Sequence, residues 1–138
     1  MADGEAAAVR AGLVALLLAA PGLTDLVGQR VVDEPGAAIA FPYVRIGRIV
    51  PTPDDTDGAR GFTVSASIEA HSRPGSGHVE AERILAAVRA AVHRAPAAIS
   101  VAGFTAWEIE TGAAVVARQP DGATYIGTLA LDISLDVV

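Results

Sequence analysis

The residues able to do chemistry are few and poorly spaced for it. The chain has three histidines, His71, His78 and His93. His71 and His78 flank a turn and can approach each other. No further ligand stands at zinc-like spacing, so all three read as solvated side chains. Asp54, Asp55 and Asp57 precede Gly58 and imitate part of a calcium loop, in which glycine holds the sixth position. That alignment puts Pro53 first and Val64 twelfth, where oxygen ligands belong, and the pattern fails. Ser65 and Ser67 lack the sequence of a nucleophile elbow. Gly75-Ser76-Gly77 lacks the lysine and the glycine spacing of a phosphate loop, and reads as a helix entry capped by Ser76 or Gly77. Cysteine is absent, which excludes disulfides, thiol catalysis and cysteine-ligated metals. The expectation is a non-enzyme with no cofactor and no metal.

The elements that position these residues follow from periodicity. Val9, Leu13, Leu16, Leu17 and Ala20 lie on one helical face, predicting a helix over 5–19 that ends at Pro21-Gly22. A short turn at 24–27 and a short strand at 30–33 follow. Phe41-Pro42-Tyr43-Val44-Arg45-Ile46-Gly47 opens a second strand reaching residue 50. Its proline is tolerated only at a strand start, a bulge or a sheet edge. An edge carrying aromatic and apolar side chains has to be covered or paired. Two readings stand at this point: a seam between subunits, or a strand paired on both sides within one chain. Residues 51–61, rich in proline, glycine and aspartate, predict an exposed, mobile acidic loop.

Strict alternation over 62–71 predicts a strand with one wet face. A helix over 78–94 comes next, with Glu80 and Glu82 in its first turn and Arg89, His93 and Arg94 near its end, as the macrodipole favours. Strands at 99–104, 106–118 and 123–137 close the chain. Gly112 marks a turn or bulge, and Gln119-Pro120-Asp121-Gly122 a tight turn. The order is α-β-β-β-α-β-β-β: an α+β fold with two helices packed on one face of an antiparallel or mixed sheet. Trp107, the single tryptophan, is expected in the core, with an interface anchor as the alternative.

At 138 residues the chain fits one domain spanning 1–138. Hydrophobic residues make up 51% and charged residues 19%, with mean hydropathy +0.42, high for a domain of this surface-to-volume ratio. Two readings of that excess remain: an alanine-rich core, or apolar surface buried between subunits. A net charge of -6 argues against a general nucleic-acid binder, though an acidic wall would let DNA slide past. The apolar run 13–20 is too short to span a bilayer. Asp3 and Glu5 stand where a signal peptide needs positive charge, so the chain is expected to be cytoplasmic when made.

Several segments together resemble one family. Leu23-Thr24-Asp25-Leu26-Val27-Gly28 followed by Arg30-Val31-Val32-Asp33-Glu34-Pro35 is similar to its helix-to-first-strand passage, and Phe41-Pro42-Tyr43-Val44 to its second strand. His71-Ser72-Arg73 before a glycine turn resembles its central junction, and Arg118-Gln119-Pro120-Asp121-Gly122 its closing hairpin. The family is that of the tail-terminator (tail-completion) proteins of long-tailed phages and gene transfer agents. A departure is Ile68-Glu69-Ala70, where the family often carries a tryptophan.

The resemblance implies a structural protein of the virion or gene-transfer-agent particle, placed at the neck end of the tail and assembled in the bacterial cytoplasm. It would form a homo-oligomeric, hexameric ring on the major tail-tube protein. The ring would stop tube growth and meet the head-tail connector or stopper protein, and DNA would pass without specific binding. No membrane is implied. The expected contact residues are Pro42, Tyr43 and Arg45 on the strand, Asp54, Asp55 and Asp57 in the loop, Arg73 and Trp107. The alternatives are a neck or head-completion protein and a small ligand-binding domain or enzyme.

Overall fold

The structure, a computed structural model, describes residues 4–55, 60–73, 75 and 77–138. Asp57 and Ser76 lie outside the described residues, so the loop contact and the helix cap assigned to them are not placed. Helix α1 (Glu5–Leu18) buries Val9, Leu13, Leu16 and Leu17, the face set by its spacing. Pro21 does more than end it. It occupies the first turn of α2 (Pro21–Val27), where its missing N–H is no loss, and the axis turns by 85°. The turn expected at 24–27 is therefore helix, because Leu23 and Val27, one turn apart, both bury.

Five strands follow: β1 (Val31–Val32), β2 (Tyr43–Pro53), β3 (Gly61–Ser72), then β4 (Phe104–Arg118) and β5 (Tyr125–Val137) beyond helix α3 (Val79–Val92). They form one sheet in the order β1-β2-β3-β5-β4, parallel between β1 and β2 and antiparallel elsewhere. The α+β class and mixed sheet stand as expected, with three α-helices in place of two.

Three details differ. Residues 99–104 are not a strand: a 3-10 turn covers Pro96–Ala98, and Val101 makes only one bridge, to Phe104. Ile99 and Val101 bury from an irregular segment, which explains their strand-like pattern, and Gly103 at φ 86 folds the chain back. The expected loop is shorter, since Pro51, Thr52 and Pro53 continue β2 and pair with Val64, Thr63 and Phe62. Helix α3 starts from His78 at its N-cap, with no side-chain cap, so Gly77 does not fill that role.

The core lies between the sheet and the helices. Helix α1 covers β1 and β2, and α3 covers β3, β5 and β4. Ile84, Leu85 and Val88 of α3 meet the alternating Val64, Ala66 and Ile68 of β3 and Leu129, Leu131 and Ile133 of β5. Fully burying each large aliphatic side chain is worth about 1.5–3 kcal/mol, far above an exposed ion pair, so this layer determines stability. Ser72, fully buried, donates to Glu80 Oε1 at 2.6 Å and ties the end of β3 to the first turn of α3. Among the described residues the opposite sheet face has no helix over it, and it carries Thr63, Ser65, Ser67, Glu69 and His71 of β3.

Candidate assembly surfaces

Three motifs distant in sequence meet at one end of the sheet. Tyr43 and His71 are cross-strand partners, and their rings stack at 4.6 Å with planes 9° apart. Phe41 tilts against Tyr43 at 5.2 Å, and the Arg73 guanidinium lies 4.3 Å over the Phe41 ring. Arg73 Nε donates to Thr124 Oγ1 at 2.9 Å, which joins this cluster to the closing hairpin.

Within that hairpin Asp121 accepts three bonds: from the Ala123 and Thr124 main-chain N–H groups at 2.9 and 2.8 Å, and from the Thr124 hydroxyl at 2.6 Å. These bonds, the Thr124 hydroxyl first, lower its pKa to about 2. The carboxylate acts as an Asx-type lock on the turn.

Tyr43, Arg45, Glu69 and His71 form a chain on the helix-free face. His71 Nε2 lies 2.8 Å from Glu69 Oε1, and Arg45 Nη1 donates to Glu69 Oε2 at 3.2 Å. Tyr43 is buried, and desolvation raises its pKa. His71 is therefore packed and hydrogen-bonded, correcting the solvated reading. The arrangement contains no nucleophile with an adjacent base. Among the described residues no group of three His, Asp or Glu side chains is placed to hold a metal. Its chemistry is structural, holding one end of the sheet in register.

The expected contact residues fall in three places. Half-buried Pro42, buried Tyr43, half-buried Arg45 and exposed Arg73 belong to the motif end. Asp54 and Asp55 lie at the far end of β3, roughly 30 Å away by strand rise. There Asp54 Oδ2 accepts from Thr63 Oγ1 at 3.2 Å and Asp55 Oδ1 from the Gly61 N–H at 3.3 Å. Trp107 stands on β4 and is 54% exposed, so it is not a core residue.

The strand of Pro42 is paired on both sides where it starts. Val44 and Arg45 pair with β1 on one side and with β3 on the other. Beyond them Arg10 Nη1 donates to the carbonyls of Ile46 and Gly47 at 3.1 and 3.2 Å and pairs with Asp33 at 2.6 Å. This resolves the two readings of residues 41–47 in favour of pairing within the chain.

The free edge is β4, which the sequence reading missed. Among the described residues its outer side is covered at its start, where Phe104 N–H donates to Val101 O at 3.0 Å, and in its middle, by the end of α3. Arg94 N–H donates to Ile109 O at 2.9 Å, Thr111 N–H to His93 Nδ1 at 3.2 Å, and Arg89 Nη2 to Gly112 O at 2.6 Å. Register shifts fall between Ala106 and Glu108, where Trp107 is the extra residue, and between Thr111 and Ala114, at Gly112. Such bulges re-aim side chains. At 113–116 the strand is an Ala-Ala-Val-Val run with Val115 61% exposed. That loss of alternation was the available signal.

No single helix among the described residues is long and apolar enough to cross a membrane. None of the curated proteins matches this chain in sequence. Among solved structures, one chain from the virion of a native gene transfer agent particle superposes with a TM-score of 0.87 at 20% identity, over 98% of this chain and 99% of that one. The sequence pattern of the family described as tail completion protein gp17 matches residues 11–136. By that match over nearly its whole length, the chain belongs to the tail completion protein gp17 family.

Proposed function

We propose that this chain is a tail-terminator subunit. Copies of it assemble head to tail into a ring, of six subunits, on the finished tail tube. The ring ends tube polymerisation, offers its other side to the head-tail connector, and lets DNA pass without specific binding. Its place is the neck end of the tail in a phage or gene-transfer-agent particle.

The observation that carries the reading is the family match over residues 11–136, a family of virion structural proteins and not of enzymes. Three features support it. The fold is shared with a chain of a gene transfer agent virion. The β4 edge exposes Trp107 and Val115, and the outer face of α1 exposes Ala7, Ala11 and Ala15, as a subunit awaiting neighbours requires. The net charge of -6 suits a channel wall that must not retain phosphates. In this reading Asp54 and Asp55 face the channel or the tube.

The test is assembly with purified tail tubes, followed by electron microscopy of tube ends and by mass measurement. Capped ends carrying a ring of fixed mass are expected. A protein that stays monomeric and leaves tube ends bare and still growing overturns the reading.

A further inference from the structure

A closed ring needs two different patches on each subunit, on opposite flanks, because a surface that pairs with itself makes a two-fold dimer and no channel. The topology supplies two such flanks. Helices α1 and α2 and strand β1 lie along one side of the sheet, and β4 with the end of α3 along the other. Resting on the ring reading above, we propose that the seam joins these unlike flanks, the β4 edge of one copy lying against the α1–α2–β1 flank of the next.

Both flanks are apolar where exposed. On one, Trp107 and Val115 are 54% and 61% exposed, and the backbone at 113–116 has no outer partner among the described residues. On the other, α1 carries only Glu5 and Arg10 as charges and turns Ala7, Ala11 and Ala15 outward, with half-buried Val14 and Leu18 beside them. A helix apolar on all sides is one that gets covered. Trp107, outward between core-packed Ala106 and exposed Glu108, has the size and exposure of an interface anchor.

Charge selects the occupant. Exposed Arg89, Arg94 and Arg118 line the β4 flank beside Glu108 and Glu110; Arg94 pairs with Glu110 at 3.4 Å, and Arg89 and Arg118 also serve main-chain carbonyls. The α1 flank exposes Asp25, Asp33 and Glu34; Asp33 pairs with Arg10, and Arg30 serves a main-chain carbonyl. A second copy presenting its acidic flank to this basic one is attracted. Two β4 edges brought together would gain no such complementarity, since each carries the same excess of arginine over glutamate. An edge strand is also the commonest template for pairing with another chain, so a β4–β4 dimer is the competitor to exclude.

The absence of native cysteine makes the test clean. Ala11→Cys and Val115→Cys, both at exposed positions, are made singly and together and assembled on tail tubes with a short bismaleimide. The double variant is expected to give a covalent ladder ending at the ring mass, with neither single variant cross-linked. Val115→Cys alone giving a dimer overturns the proposal in favour of like edges meeting. Rings of the correct mass with no ladder overturn it and leave the ring itself standing. Unmodified protein that never forms rings on tubes removes the ring reading and this seam with it.

Discussion

Along β2 the outer side of the sheet is closed piece by piece. Strand β1 pairs with Val44 and Arg45, the Arg10 guanidinium takes the carbonyls of Ile46 and Gly47, and Pro51 and Pro53 remove two donors from what is left. Along β4 the outer side is held, among the described residues, at Phe104 and at Ile109, Thr111 and Gly112, and it exposes Trp107 before the second clasp and Val115 after it. One sheet thus carries one edge protected against pairing and one left available for it. Edge protection is the usual state of a protein that works alone, and the less protected β4 edge is the one the proposed seam uses.

The comparison breaks most visibly by placing the same charge on each edge. Val44 is fully buried, and Val44→Asp puts a carboxylate into the core beneath α1. The expected loss is about 4 kcal/mol or more, read as a collapsed thermal melt by circular dichroism. Val115→Asp, at a position 61% exposed, should change stability by less than about 0.5 kcal/mol while abolishing ring formation on tubes. Equal losses from the two variants would mean that β4 is no free edge in solution.

Gly47→Val sharpens the point next. A Cβ there would come within 2.5 Å of Ser67 Oγ and 3.2 Å of the Ser67 carbonyl, beside the bulge between Ile46 and Ile49. Overpacking at such a site costs roughly 2 kcal/mol. The bulge on β4 has more room: the nearest atom to an added Cβ at Gly112 lies 3.7 Å away, and Gly112→Ala should cost well under about 1 kcal/mol. Urea unfolding midpoints of the two variants decide the matter.

The sequence made the layers legible because their signal is local. Val64, Ala66, Ile68 and Ala70 alternate and bury as alternation requires, and the faces of α1 and α3 follow from 3.6-residue spacing. Strand order is not local. Nothing between residues 104 and 137 states that β5 inserts between β3 and β4, so the edge was sought at Pro42 when it lies on β4. The Pro42 signal itself was sound, since proline stands at the start of that strand, and the short strand expected at 30–33 is present as β1; what sequence could not supply was that β1 pairs in parallel with Val44 and Arg45. Residue type places Trp107 in the core, but Phe104 and Ala106 pack there, and alternation from them leaves Trp107 outward. The motif residues Phe41, Tyr43, His71 and Arg73 meet at one end of the sheet, and their contacts are mostly with one another.

A smaller contrast lies between the two arginines that clasp the edges. Arg10 serves two carbonyls and a half-exposed ion pair, with 29% of its side chain exposed. Arg10→Ala should cost about 1–1.5 kcal/mol. Arg89 serves one carbonyl on a more exposed surface, and Arg89→Ala should cost about 0.5 kcal/mol. Chemical-denaturation curves of both variants, at equal slope, give the order; a reversal would make the β4 clasp the stronger one.

The smallest expected effect concerns the hairpin that returns β4 to β5. The Asp121 carboxylate holds it, and its pKa of about 2 lies below its ordinary 3.8 because the ionised form accepts the Thr124 and Ala123 bonds. A depressed folded pKa means that the unfolded chain takes up its proton first as pH falls. The contribution is therefore complete above the ordinary value and is lost between about pH 4 and pH 2. Asp121→Asn removes the ionisation, so the fall in melting temperature from pH 6 to pH 2 should be slightly smaller in the variant than in the parent chain. The carboxyl resonance of Asp121 read by NMR gives the sharper measurement. Titration near the ordinary 3.8 would mean that the hairpin bonds do not form in solution, and that the uncovered half of β4 is released at its end as well as at its edge.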